Sequence, residues 1–355
     1  MANLGLVLLH PEPHEEHTCD VDIVAIHGLD TNSDRTWQAY RREGDPKSGL
    51  VHWLRDKDML PKHIPKARIF AYGWNANTIT GASGQYFYTH ADTFLSRLAA
   101  HRLRRFQNNP IIFIASCYGG LILAKALIQA SIRHNDYSHI LDATSAIMFL
   151  GTPFRGSNGT TAAQTRVTVA RAMGGDTNEN LLKVLTREDG ILEETRERFA
   201  ELMLDHFDGS QRMVFFHETR PTEVAKAIIP QSYLEMSPWK SLSTFSKIML
   251  VDRDSACIDT WPREAINKNH TMLNKFRGPE DGDFKVVLRW IYIFENYIRA
   301  QKMILKHYPP RVTGTRRRYR QVDYNGIYAT PRDVPQKTAA VEDKHRKVKS
   351  EHIFT

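Results

Sequence analysis

PIIFIASCYGGLILAKAL, Pro110 to Leu127, is the stretch whose reading decides the fold. Its first half is an apolar, β-branched run behind a proline, the pattern of a strand buried on both faces. From Gly120 onward it is apolar with helical spacing. Only a tight turn fits between the two, and a strand that runs straight into a tight turn and a helix is the setting of a nucleophile elbow. Crowding in such a turn demands small residues two before and two after the crest. With Cys117 at the crest these are Ala115 and Gly119, and Gly120 opens the helix without a side chain. With Ser116 at the crest they would be Ile114 and Tyr118, which do not fit. The register therefore selects Cys117. A side chain at the crest faces a helix N-terminus, whose free N–H groups and dipole favour a thiolate over a thiol. A cysteine acting only as a compact apolar group in a βα turn has no need of small neighbours on both sides.

Outward from the elbow, short β-branched runs alternate with helical stretches, the arrangement of a mostly parallel sheet covered by helices on both faces. Strands are expected at Val21–Gly28, Ala67–Trp74, Pro110–Ser116, Ala146–Thr152, Arg212–Glu218 and Ser246–Asp252. Helices are expected at Tyr88–Phe106, Gly120–Ile132 and, closing the domain, Asp283–Leu305. Ser157–Ser210 interrupts the alternation with several segments of helical period, as an inserted helical cap would. The expected organisation is an N-terminal extension (1–19), an α/β domain (20–305) carrying the cap at 157–210, and a tail (306–355).

Composition narrows the function classes. The 355 residues are 41% hydrophobic and 25% charged, which is ordinary for a soluble globular chain. No window approaches the roughly 18 to 20 apolar residues of a membrane-spanning helix. The apolar N-terminal run lacks the basic residues that open a signal peptide. The formal charge of +8 sits almost wholly in the tail, where 12 Lys and Arg face 5 Asp and Glu. The body is thus too nearly neutral to present a basic face, and nucleic acid is not expected as the main partner. The tail's composition is that of a disordered, solvating extension, with its RRRYR and KHRKVK clusters as the part suited to a nuclear address or an anionic surface. Cys19, Cys117 and Cys257 are odd in number and widely spaced, so neither a disulfide framework nor a zinc knuckle is expected. The expected location is the cytoplasm, with nuclear or peripheral organelle-membrane association as the alternatives, and no cofactor or metal is called for.

Three further elements complete the chemistry of an elbow. IHGLDTNSDRTW follows the first strong strand; there His27 and Gly28 form a loop whose backbone can aim an N–H at a developing oxyanion. The hole would use the amides of Leu29 and Tyr118, the latter being the residue after the nucleophile. A base is expected after the last strand, and INKNHTMLNKF supplies His270. The orienting acid falls between nucleophile and base in chain order. Glu218, ending RMVFFHE, is favoured, since a buried strand has little reason to finish on an unpaired carboxylate; Asp252 is the alternative.

With these residues in hand, the chain resembles the α/β-hydrolase domain of the SERAC1-like and DUF676-type lipase/esterase group. It is especially similar to the version at the N-terminus of fungal NACHT-type and ankyrin- or TPR-repeat immune-receptor-like proteins. The resemblance is carried, in order, by DIVAIHGLDTNSDRTW, WLRDKDMLPKHIPKARIFAYGWNAN, PIIFIASCYGGLILAKAL, IMFLGTPFRGS, FFHETRPT, VDRDSAC and NHTMLNKF, over about residues 20–300. That group's elbow usually has His before a Ser and Leu after it. Here Ser116, Cys117 and Tyr118 stand in those places, so serine-ester chemistry does not transfer. The leading expectation is an ester or thioester hydrolase, or an acyltransferase, using Cys117, His270 and an acid on a small-molecule or lipid acyl substrate. The alternative is a disarmed hydrolase fold serving as a signalling or protein-interaction domain.

Overall fold

The computed structural model describes residues 4–29, 31–77, 87–102, 106–156, 190–223 and 247–307. These lie in the first of two units, Met1–Gly314; the second, Thr315–Thr355, lies outside the described residues, as does the expected tail beyond His307. The framework is a seven-stranded sheet in the order β1 (Gly5–His10), β5 (Ala67–Gly73), β2 (Val21–Ile26), β6 (Ile111–Ser116), β7 (Thr144–Leu150), β8 (Met213–Glu218) and β11 (Arg263–Ile266). All neighbours are parallel except β1, which runs antiparallel to β5. Two small ribbons, β3 (Gln38–Tyr40) with β4 (Leu50–His52) and β9 (Thr222–Glu223) with β10 (Lys247–Ile248), stand apart from it.

The apolar runs read as strands are buried on both faces because each feeds two cores. Val24 and Ile26 of β2, Phe113 and Ala115 of β6 and Phe149 of β7 face one core. It is closed by α3 (Phe87–His101), α4 (Tyr118–Ile132), α5 (His134–Ala143) and α6 (Ile191–Phe207). Ile23, Ala25, Ile112, Ile114, Met148 and Val214 face the other, which is closed by Trp37 behind α1 (Ser33–Thr36), Trp53, Leu60 of α2 (Leu60–His63) and the long α8 (Gly282–His307). At the amino edge of the sheet the buried Asp22 carboxylate takes a two-pronged hydrogen bond from Arg68, at 2.8 Å on each oxygen, and also pairs with Arg102. A charge buried in a strand is tolerated only when paired and hydrogen-bonded in this way. Among the described residues no helix is long and apolar enough to cross a membrane.

Several expectations are corrected here. Among its described residues, the run Ser246–Asp252 gives no strand of the main sheet: Lys247–Ile248 forms a strand of the small ribbon, and Asp252 caps α7 (Arg253–Ala256). The seventh strand is instead Arg263–Ile266, in which only Ile266 is buried, so a search for apolar runs passes over it. The first strand comes from residues assigned to the extension, where GLVLLH pairs along the edge of β5. The start of the stretch read as a cap, 157–189, lies outside the described residues. Its end holds α6. Leu192, Phe199, Met203 and Phe207 are buried on the sheet, and Phe199 stacks on Phe154.

Candidate active site

Cys117 sits where β6 ends and α4 begins, at the carboxyl edge of the sheet's central strand. Its backbone takes φ 51° and ψ −129°, the left-handed region that non-glycine residues avoid. Two hydrogen bonds hold it there: Cys117 N–H donates to Leu150 O at 2.9 Å, and Gly120 N–H donates to Cys117 O at 3.0 Å. The small neighbours are sterically required. A Cβ on Gly119 would lie 2.5 Å from His27 O and 2.7 Å from Ile26 O, and one on Gly28 would lie 2.6 Å from Cys117 Cβ.

Glu218 ends β8 in register with Ile266 of β11, and His270 lies four residues past Ile266. The side-chain nitrogen His270 Nδ1 is 3.0 Å from Glu218 Oε2, while Glu218 Oε1 accepts from Val251 N–H at 3.1 Å. The carboxylate is 1% exposed, so both oxygens are fully committed. With Nδ1 on Glu218, it is Nε2 that reaches the Cys117 sulfur, which also accepts from the backbone N–H groups of Tyr118 and Leu29. Burial alone would raise the Cys117 thiol. The charge and hydrogen bond of His270 and the two amides outweigh it and hold the thiol below its ordinary range. Burial alone would lower His270, but Cys117 and then Glu218 push it well above the usual histidine range. Both shifts favour a thiolate paired with an imidazolium. Asp252 is engaged elsewhere, with Oδ1 accepting from Ser255 N–H at 2.8 Å; the carboxylate beside His270 is that of Glu218.

His27 supports the loop rather than facing the sulfur. Trp74 N–H donates to His27 Nε2 at 3.2 Å, so the proton is on Nδ1, which donates to Gly28 O at 2.9 Å. The Trp74 indole N–H donates to His27 O at 2.9 Å, and the two rings stack. Burial lowers His27 to about 4 and keeps it neutral. Tyr118 contributes only its amide, because its ring is buried against Trp74 and Phe87.

Four supporting residues escape a reading of the sequence. Trp74 braces the loop, Thr222 Oγ1 accepts from His270 N–H at 3.3 Å, and Val251 holds Glu218. Asn274 Nδ2 donates to Ser116 Oγ at 2.6 Å while the Asn274 backbone carbonyl accepts from the Trp53 indole at 3.0 Å, which ties the base loop to the elbow strand. The one sequence signal for these is Ser116 itself, a hydroxyl at the end of a buried strand that requires a partner. Among the described residues no group of three or more His, Cys, Asp or Glu is placed to hold a metal ion.

The strand order, the strained turn at the end of the central strand and the loops converging on it define an α/β-hydrolase domain. Protein SERAC1 of Homo sapiens is 23% identical over 235 residues, which is 63% of this chain and 34% of that protein. Protein SERAC1 of Danio rerio is 23% identical over 233 residues, 62% of this chain and 33% of that protein. The domain is SERAC1-like, and the chain spans about a third of the length of the curated relatives it matches. No family model matches. Among solved structures, the mature lipase BlEst2 of Bacillus licheniformis aligns with a TM-score of 0.49 at 14% identity, over 82% of this chain and 99% of that one.

Proposed function

We propose that the domain is an acyl hydrolase or acyltransferase that forms a covalent acyl intermediate on Cys117, acting on a small-molecule or lipid acyl compound. The carrying observation is the unbroken line from Glu218 Oε2 through His270 to the Cys117 sulfur, at whose end two backbone amides converge. In this reading the thiolate attacks the acyl carbon, and the negative charge moves from sulfur to the carbonyl oxygen beside it. The Leu29 and Tyr118 amides, which hydrogen-bond the resting sulfur, pass to that oxygen as the charge moves and stabilise the oxyanion. Such a donor is typically worth about 10² to 10³ in rate. His270 then gives its proton to the leaving group and takes one from the incoming water, amine or thiol, while Glu218 fixes its tautomer. A fold kept only as an interaction surface has no use for a buried carboxylate aimed at an imidazole.

The test is labelling of the purified chain with a thiol-directed probe across pH, beside turnover of a panel of acyl esters and thioesters. Rapid labelling at Cys117 below the ordinary thiol range, with turnover abolished in Cys117→Ala, is the expected result. A Cys117 that reacts like free cysteine, or turnover that survives Cys117→Ala, would overturn the reading.

A further inference from the structure

We propose that the acyl donor of this site is a thioester. The proposal rests on the reading of Cys117 as nucleophile and follows from what surrounds its sulfur. A tetrahedral intermediate on Cys117 can lose either Sγ or the donor's leaving group, and it loses the weaker base unless a proton reaches the stronger one in time. Here Sγ sits at the N-terminus of α4, with His270 and the Leu29 and Tyr118 amides as its hydrogen-bond donors, all of which stabilise it as a departing thiolate.

An alkyl ester sets an alkoxide against that thiolate, and the alkoxide leaves only if it is protonated as the C–O bond breaks. His270 is the acid whose side chain touches the sulfur. Its acidity is reduced by Glu218, whose Oε2 lies 3.0 Å from Nδ1 and whose other oxygen is pinned by Val251 N–H. The Tyr118 phenol is buried in the aromatic cluster, His27 spends its proton on Gly28 O, and Asp252 caps α7. One contact pattern thus makes Sγ the better leaving group and the available acid the weaker one. An alkyl ester falls back to starting material.

A thioester removes the imbalance. The Cys117 S–C bond forms, the donor's C–S bond breaks, and the departing sulfur takes the His270 proton as a free thiol. Acyl-Cys117 and a neutral imidazole remain, and no redox change occurs. Water, an amine or a second thiol then attacks as His270 takes its proton, and Cys117 leaves as the thiolate that the site is built to hold. Aryl esters should behave similarly, because a phenol is about as weak a base as a thiol once ionised.

The experiment is single-turnover acylation of the full chain, read as acyl mass on the Cys117 peptide. Matched butyryl and octanoyl donors are compared as N-acetylcysteamine thioester, phenyl ester and ethyl ester. The expected result is that the thioester and phenyl ester load Cys117, while the ethyl ester is slower by on the order of 10²-fold or more, the size of a general-acid contribution. Cys117→Ser, whose nucleophile leaves as an alkoxide, should narrow that ratio toward the ethyl ester. Equal loading by the ethyl ester in the unmodified protein overturns the thioester assignment and leaves the nucleophile standing. Loading by no donor, or equal turnover in Cys117→Ala, removes the nucleophile and the assignment together.

Discussion

Three cysteines share this chain, and their surroundings set them apart. Burial pushes the Cys257 thiol up to about 11 and raises Cys19 as well. Burial acts on Cys117 too, but His270 and two amides outweigh it. Of the three, Cys117 is therefore the one whose surroundings favour the thiolate, and an alkylating probe should read it selectively. Alkylation by iodoacetamide should stay fast well below the ordinary thiol range and fall only when acid returns a proton to Cys117. Glu218→Gln keeps an acceptor beside His270 but removes the charge that favours the imidazolium, and with it the thiolate. The acidic limb should then move up by about one unit, a roughly fivefold slower reaction at the old midpoint. An unmoved limb in a folded variant would mean that the carboxylate does not sustain the ion pair.

The elbow is an element whose shape depends on missing side chains. A left-handed, non-glycine crest typically costs about 1 to 3 kcal/mol and persists only where its surroundings enforce it. Gly119 and Gly28 allow α4 and the loop after β2 to approach that crest. In Gly119→Ala the new Cβ meets the backbone oxygens of His27 and Ile26, which cannot rotate away, so α4 must shift from the end of β2. A loss of about 1 to 3 kcal/mol in urea unfolding is expected, with slower Cys117 alkylation. Gly278→Ala, where a Cβ meets nothing within 4 Å, should stay within about 0.5 kcal/mol of the unmodified protein. Equal stability of the two variants would show that the close approach is not required. The small residues around Cys117 are legible in the sequence because this crowding is local. The strand Arg263–Ile266 is not, since a polar edge strand is held by its neighbour's backbone rather than by its own apolar pattern.

Across the whole molecule, two cores press on one sheet and leave buried histidines without room for charge. His27, His52 and His90 are each lowered to about 4, chiefly by burial. Between their unfolded value near 6.5 and about 4, the unfolded chain binds protons that the folded one refuses. Stability should therefore fall as pH drops through that window, each histidine contributing up to about 1.4 kcal/mol per pH unit. The urea midpoint of the full chain should be clearly lower at pH 5 than at pH 7, and a flat dependence would contradict neutral burial of these rings. His27 also braces the oxyanion loop through Trp74, so the same acidification should disturb the site.

The sequence by itself determined the alternation of buried strands and helices and the register that puts Cys117 at a crest, because both are written in side-chain size and apolar period within a few residues. It also named Glu218 and His270 as candidates, through their place after strands. Only the tertiary structure decided which carboxylate meets His270, since Glu218 and Asp252 both follow apolar runs and differ only in where the chain turns next. It alone brought Trp74, Thr222, Val251 and Asn274 to the site, because hydrogen bonds between residues as far apart as Ser116 and Asn274 leave no period in the chain. It also set the apolar stripe of the helix Ile191–Phe207 into the core, because such a stripe names no partner in the sequence.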